Sequence, residues 1–296
     1  MFKKFFTAGY YRFKLNIFLY YFGYQIKFIS NINRNILTKI KKVHQKTSEI
    51  PKKWSDIDFV TQSKFLMNNE IGLIENYKSD DINGTEIIYS NKLIDKLIRL
   101  AQERVEFYYG ETDKFLFECL DKYNLQNKEV AILGSTIPWY ESVILSKGGK
   151  PVTIEYNNIE TDDKRLKLYT NEEFSKVNKK FDFALSISSF EHDGLGRYGD
   201  PIDPEGDFKA MKNVKDNILK KGGKLFLSIP IGSDKIVWNL HRIYGEKRFP
   251  ILIQEFKLID SAGFSNELFE RSDVYGKLSS KKDSVRPFQP IFVLEA

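Results

Sequence analysis

Cysteine is nearly absent from this chain of 296 residues, Cys119 being the single one. No intrachain disulfide and no multi-cysteine metal site can form, which fits a reducing, cytoplasmic compartment. Histidine is almost as scarce, with His44, His192 and His241 alone, so a histidine-rich metal centre is excluded. Long apolar runs are missing too. The longest uncharged stretch of the N-terminal segment, Leu15 to Ile26, has 12 residues, against the ~20 that a membrane-spanning helix needs. No small-residue cleavage site follows it, so a secretory signal is not expected.

Acidic residues are missing from one region. Residues 1–42 carry nine Lys or Arg and no Asp or Glu, so a net charge of +6 for the chain leaves +6 − 9 = −3 for residues 43–296. The basicity belongs to one segment, and the rest has no nucleic-acid footprint. That segment also holds twelve Phe or Tyr. Amphipathic aromatics interspersed with cations suit the headgroup region of an anionic leaflet. Docking on the inner face of the membrane is one expectation; packing on the domain or a dimer contact is the other.

What remains is the composition of a folded protein, 42% hydrophobic and 29% charged. Residues 43–75 are polar and read as a linker with weak helix. The spacing of Leu93, Ile94, Leu97 and Ile98 predicts a helix over Ser90–Leu100 with Ser90 as its cap. A second helix is expected over Thr112–Tyr123, facing Phe115, Leu116, Cys119 and Leu120 inward. From Lys128 onward strands and helices alternate. Strands are expected at Glu129–Leu133, Pro151–Glu155, Phe181–Ile187, Lys224–Ile229 and Pro290–Ala296, with a weaker element at Leu166–Tyr169. Helices are expected at Pro138–Lys147, Asp207–Leu219 and Ile251–Ala262. Such alternation means a parallel sheet with helices on both faces. The chain thus divides into 1–42, a linker and helical cap at 43–127, and an α/β domain at 128–296.

Four features in order resemble the class I methyltransferases that bind S-adenosylmethionine. Glu155 ends the second strand, where a carboxylate can take two ribose hydroxyls. Phe181-Asp182 leads through Ser-Ser-Phe to Glu191-His192, like that family's fourth strand and loop. Lys220-Lys221-Gly222-Gly223 looks like the turn before its fifth strand. Ser261-Ala262-Gly263-Phe264, followed by the terminal PIFVLEA, looks like its reversed last hairpin. A narrower likeness, in SSFEHDGLGRYGDPIDPEGD and VWNLHRIYG, is to a domain family of unknown function, DUF268, found in nematodes and bacteria and associated with surface-polysaccharide genes. The resemblance implies a Rossmann-like sheet preceded by a helical N-terminal extension. It also implies S-adenosylmethionine contacts at Gly134, Ser135, Thr136, Glu155, Asp182 and Ser188. One departure stands out: the first loop, Ile132-Leu133-Gly134-Ser135-Thr136-Ile137-Pro138, keeps a single glycine and lacks the acidic residue.

Methyl transfer to an oxygen needs an aligned acceptor and a base for its proton. His192 and His241 sit just after strands, at the sheet's carboxyl edge, and are candidate bases; loop-holding histidines are the plain alternative. Glu191, Asp193, Arg197, Tyr198 and Asp200, with Trp238, Asn239, Arg242 and Tyr244, offer carboxylates, stacking surfaces and an anion clamp suited to a saccharide or nucleotide-sugar. Trp238 and Tyr244 would otherwise be core. The acidic run Asp193 to Asp207 invites Mg²⁺, but helix capping by Asp203-Pro204-Glu205 explains part of it, and no metal site is assigned. Two further readings stay open: a scaffold that has lost the cofactor, and a transferase using a nucleotide-sugar donor.

Overall fold

The computed structural model describes residues 52–77, 87–156, 158–271 and 288–296. The expectations for residues 1–42 lie outside them. In chain order the elements are α1 (Phe59–Phe65), β1 (Gly72–Glu75), β2 (Ile87–Tyr89), α2 (Asn91–Gln102), α3 (Glu111–Leu120), β3 (Glu129–Leu133) and α4 (Trp139–Ser146). Then come β4 (Lys150–Glu155), β5 (Ile159–Thr161), β6 (Lys167–Thr170), α5 (Asn171–Ser175), β7 (Phe181–Ile187) and α6 (Gly206–Asn213). Last are β8 (Leu219–Ser228), β9 (Lys235–Trp238), β10 (His241–Ile243), α7 (Arg248–Ile253), β11 (Lys257–Ala262) and β12 (Ile291–Glu295). No helix among the described residues is long and apolar enough to cross a membrane.

Seven strands form one sheet in the order β11-β12-β8-β7-β3-β4-β6. The inner pairs are parallel, whereas β12 runs antiparallel to both β8 and β11. The apolar runs of β3, β8 and β12 explain their central place: Val130, Ala131, Leu225, Phe226, Phe292 and Val293 are fully buried, as strands covered on both faces must be. The order reverses between β3 and β7. Their carboxyl ends therefore diverge into a crevice, the place where open α/β sheets bind ligands.

The helical cap forms as the spacing predicts. Ser90 accepts a hydrogen bond from Leu93 N at 3.3 Å, capping α2, and Ile94 and Leu97 are fully buried. α2 packs against α4. Tyr89, at the end of β2, donates its hydroxyl to Ser135 O at 3.0 Å.

Two elements depart from expectation. The stretch 251–262 is not one helix. α7 ends at Ile253 and β11 follows, pairing antiparallel with β12 with a bulge between Leu258 and Asp260. Nor is 52–75, the described part of the expected linker with weak helix, confined to the helix α1. β1 pairs parallel with β9, which pairs antiparallel with β10. Trp54 and Phe65 pack edge-on against the Trp238 ring, with centroids 5.1 and 5.2 Å away. Apolar burial of a Trp between two aromatics drives this small second core.

Candidate functional site

A cavity of about 1170 Å³ opens at the carboxyl ends of β3, β4 and β7. Its volume exceeds the ~300–1,000 Å³ of ordinary ligand pockets, so it has room for two molecules side by side. Gly134 to Ile137 and Glu155 form one wall. Gly134 has φ +76°, and a Cβ there would meet Ser189 Oγ at 2.0 Å; the chain can turn off β3 only as glycine. Ser135 N then donates to Glu155 Oε2 at 2.8 Å, so the loop and the carboxylate hold each other. On one side Phe174, Val177, Val214 and Ile218 line the cavity beside Asn171, Lys176, Asn213 and Asn217. The other side, its polar arm, carries the carboxylates and histidines.

The polar arm is built by residues 188–206. Asp200 folds the loop around itself: its Oδ2 accepts from Gly194 N and Gly196 N at 2.7 and 3.1 Å, and its Oδ1 from Tyr198 N at 3.2 Å. Asp203 accepts from Glu205 N at 3.0 Å and from Lys209 Nζ at 2.6 Å. These carboxylates are spent on loop structure, and no cluster among the described residues has the make-up of a metal site. Gly194 has φ +82° with Asp203 O 2.0 Å from where a Cβ would lie. Gly194→Ala is expected to lose about 2 kcal/mol or more of stability, read as a lowered thermal midpoint. An unchanged midpoint would contradict the loop geometry.

His192 and His241 face each other across the arm, ring centroids 6.1 Å apart at 81°. His192 Nδ1 donates to Leu240 O. A carbonyl can only accept, so Nε2 keeps its lone pair. Burial pushes His192 down to about 4 and His241 down to about 3, with Arg197 pushing both the same way. Both rings are neutral at physiological pH. Burial pushes Glu191 up to about 7, and burial with Asp200 nearby pushes Asp193 up to about 8. Glu191 Oε1 lies 3.7 Å from His192 Nε2.

The structure brings together Gly134, Ser135, Thr136, Glu155, Ser188, Glu191, His192, Asp193, Arg197, Tyr198, Asp200 and His241, all on the cavity wall. Five expected residues lie elsewhere. Asp182 sits at the opposite end of β7, paired with Lys220 at 3.1 Å, because it opens the strand rather than closing it. Trp238 is core, its Nε1 bonded to Lys52 O at 3.0 Å. Asn239 is fully buried in the β9–β10 turn. Arg242, fully buried, is no anion clamp: it donates to the carbonyls of Asp193 and Asp203, at 2.5 and 3.2 Å, and so braces the acidic loop from beneath. Tyr244 donates to Asp207 Oδ2 at 2.9 Å.

Sequence reasoning missed Tyr108, Tyr109 and Gln289, which also line the cavity, as does Tyr140, a residue the sequence leaves open between a lid over a base and core. The two tyrosines come from the cap. Their backbone N–H groups donate to Asp113 Oδ2 at 2.7 and 3.3 Å, and Tyr140 donates to Asp113 Oδ1 at 3.3 Å. Thr112 fastens the same turn to Gln289 O at 2.7 Å. The one available signal was Tyr-Tyr-Gly between two helices with an Asp three residues on.

The strand order and the antiparallel β12 are those of the class I methyltransferase fold. Residues 127–296 match the family described as "Caenorhabditis protein of unknown function, DUF268", and the chain belongs to that family. No curated protein is similar in sequence. Among solved structures, a Burkholderia thailandensis 1,6-didemethyltoxoflavin-N1-methyltransferase with bound S-adenosylhomocysteine is similar at 12% identity. The likeness covers 67% of this chain and 77% of that one, with a TM-score of 0.42. An S-adenosylmethionine-dependent methyltransferase from Mesorhizobium loti is similar at 10% identity, over 61% of this chain and 97% of that one, with a TM-score of 0.38. At these scores they add nothing to what the strand order establishes.

Proposed function

We propose that the protein is an S-adenosylmethionine-dependent methyltransferase acting on a hydroxyl oxygen of a saccharide or nucleotide-sugar. The observation that carries this reading is Glu155, placed at the carboxyl end of β4, on the cavity wall and against the turn after β3. A carboxylate there suits the two ribose hydroxyls of a nucleoside, and Phe174 and Val214 suit a flat base. The residues present therefore fit the cofactor, which supplies an electrophilic methyl group when bound. Glu155, Ser135 and Thr136 would hold its nucleoside, while Phe174 and Val214 would face its ring. In the polar arm His192 Nε2 takes the acceptor's hydroxyl proton, and Glu191 beside it stabilises the imidazolium that forms. Tyr198 and Arg197 position the sugar. The one large cavity has room for both cofactor and acceptor.

Calorimetric titration with S-adenosylhomocysteine tests the cofactor site. Glu155→Ala is expected to weaken binding about 10-fold or more, through two lost charge-assisted hydrogen bonds. Equal affinity in the variant, or no binding by folded wild-type protein, would end the methyltransferase reading. Docking of residues 1–42 on an anionic membrane belongs to the same proposal, supported by nine cations without an acid. Deleting them is expected to abolish flotation with phosphatidylserine vesicles at low salt; undiminished flotation would place the contact elsewhere.

A further inference from the structure

Two side chains meet at Ser188, where β7 ends. Ser188 Oγ donates to Glu191 Oε1 at 2.6 Å and accepts from Gln289 Nε2 at 3.0 Å. Tyr109, from the cap, lines the same cavity. A serine hydroxyl has one proton, and this one is given to Glu191. That donation fixes its neighbours. Ser188 gives its proton to Glu191, so Gln289 must present Nε2 to it and turn Oε1 away. Glu191 likewise has one oxygen engaged. The two remaining oxygens, Glu191 Oε2 and Gln289 Oε1, are buried without a hydrogen-bond partner. Both residues are at least nine-tenths buried, at 1% and 5% exposure, and both line the cavity. A buried polar atom left unpaired is costly, and two on one wall, tied to a single serine, make a matched pair of acceptors.

We propose that Glu191 and Gln289 form a subsite for a vicinal diol, each orphan oxygen accepting from one hydroxyl of the sugar that carries the methylated position. The proposal rests on the methyltransferase reading for its reaction and adds the recognition element of the acceptor. Two adjacent acceptors call for a ligand with two adjacent donors, and a diol and an alkylammonium group both qualify. The surroundings favour the neutral one. Arg197 and Arg242 both bear on His192 and oppose its positive charge, and Arg242 lies directly beneath the loop, bonded to Asp193 O at 2.5 Å. Burial, which keeps the imidazole uncharged, and these two arginines together disfavour a cation beside it. Gln289 stands just before β12 and Tyr109 stands in the cap, so the subsite closes only when the sheet's last strand and the segment before the family domain are both in place.

The test uses the full chain with S-adenosylhomocysteine present. Saturation-transfer NMR and calorimetry compare methyl hexopyranosides, their single-deoxy analogues and ethanolamine. At least one pyranoside should bind, and removing either hydroxyl of one adjacent pair should weaken it about 10-fold. Gln289→Leu should give the same loss, with S-adenosylhomocysteine affinity unchanged. Glu191→Gln, which offers an N–H where the ligand needs an acceptor, keeps the test informative if the leucine variant does not fold. The proposal is overturned if no pyranoside binds folded wild-type protein. It is equally overturned if deoxy analogues and variants bind as well as their parents, or if ethanolamine binds more tightly than every pyranoside. Diol-dependent binding without any S-adenosylhomocysteine binding would support the subsite and sink the methyltransferase reading alone.

Discussion

Asp207→Asn should cost the protein about 3–5 kcal/mol, the loss seen when one partner of a buried charge pair is removed. Asp207 is fully buried in the first turn of α6. Its Oδ1 accepts from Arg248 NH2 at 2.6 Å, and its Oδ2 from Arg248 Nε at 3.0 Å and from Tyr244 at 2.9 Å. Arg242 Nε lies 3.7 Å from the same oxygen. Two buried guanidiniums therefore share one carboxylate. An amide of the same size keeps the volume and removes the charge, leaving both arginines in a low-dielectric interior. Arg242 also braces the acidic loop, so local order should fall with global stability. Urea unfolding gives the first quantity, and amide exchange at Gly194 and Gly196 gives the second. A loss below 1 kcal/mol would mean that water already reaches the pair. Adding Arg248→Met to Asp207→Asn should recover part of the loss, because it removes one of the two uncompensated cations.

This network explains what the sequence could and could not reveal. The inner strands β3, β4, β7 and β8 and the antiparallel β12 were legible because each is a short, largely apolar run, and local pattern suffices for that. Glu155, His192 and Asp200 were legible as site residues because they follow strand ends, and strand ends fix the carboxyl edge. Arg242 and Trp238 were not. Their types suit a binding surface, yet their roles depend on partners far away in sequence: Asp207 and the Asp193 carbonyl for one, Trp54 and Lys52 for the other. The same holds for β11. Its residues carry no pattern that separates an edge strand from the end of a helix, and the choice is made by β12, some thirty residues on. Tyr109 and Gln289 were missed because the cavity is closed by segments on either side of the motif-bearing region. Asp113, which burial pushes up to about 6, is what holds the cap's tyrosines there.

His192→Ala should lower the rate of methyl transfer about 10²–10⁴-fold, the usual contribution of a positioned general base, with little effect on S-adenosylhomocysteine affinity. The magnitude rests on orientation. Donation from Nδ1 to Leu240 O points the Nε2 lone pair away from the β9–β10 turn and leaves Glu191 Oε1 3.7 Å off to receive the charge that develops. Burial also dictates the pH dependence. A histidine held at about 4 stays neutral from alkaline pH down to that value, so it gives the rate no acid limb at its ordinary 6.5. Glu191, held at about 7 by burial, titrates in the accessible range. Its charged form is the one that stabilises the imidazolium, so the rate should rise as pH increases through about 7. Facing it are His192, Arg242, Asp193 and Tyr109; the first two bear on the charge and persist in Glu191→Gln. That variant should flatten the profile around neutrality while keeping a measurable rate, whereas His192→Ala, which removes the imidazolium that Glu191 stabilises, should lose both the rate and the inflection. A limb near 6.5 that survives Glu191→Gln and vanishes in a His192 variant would instead make the histidine an ordinary solvated base, and the enclosed geometry of the polar arm would be wrong.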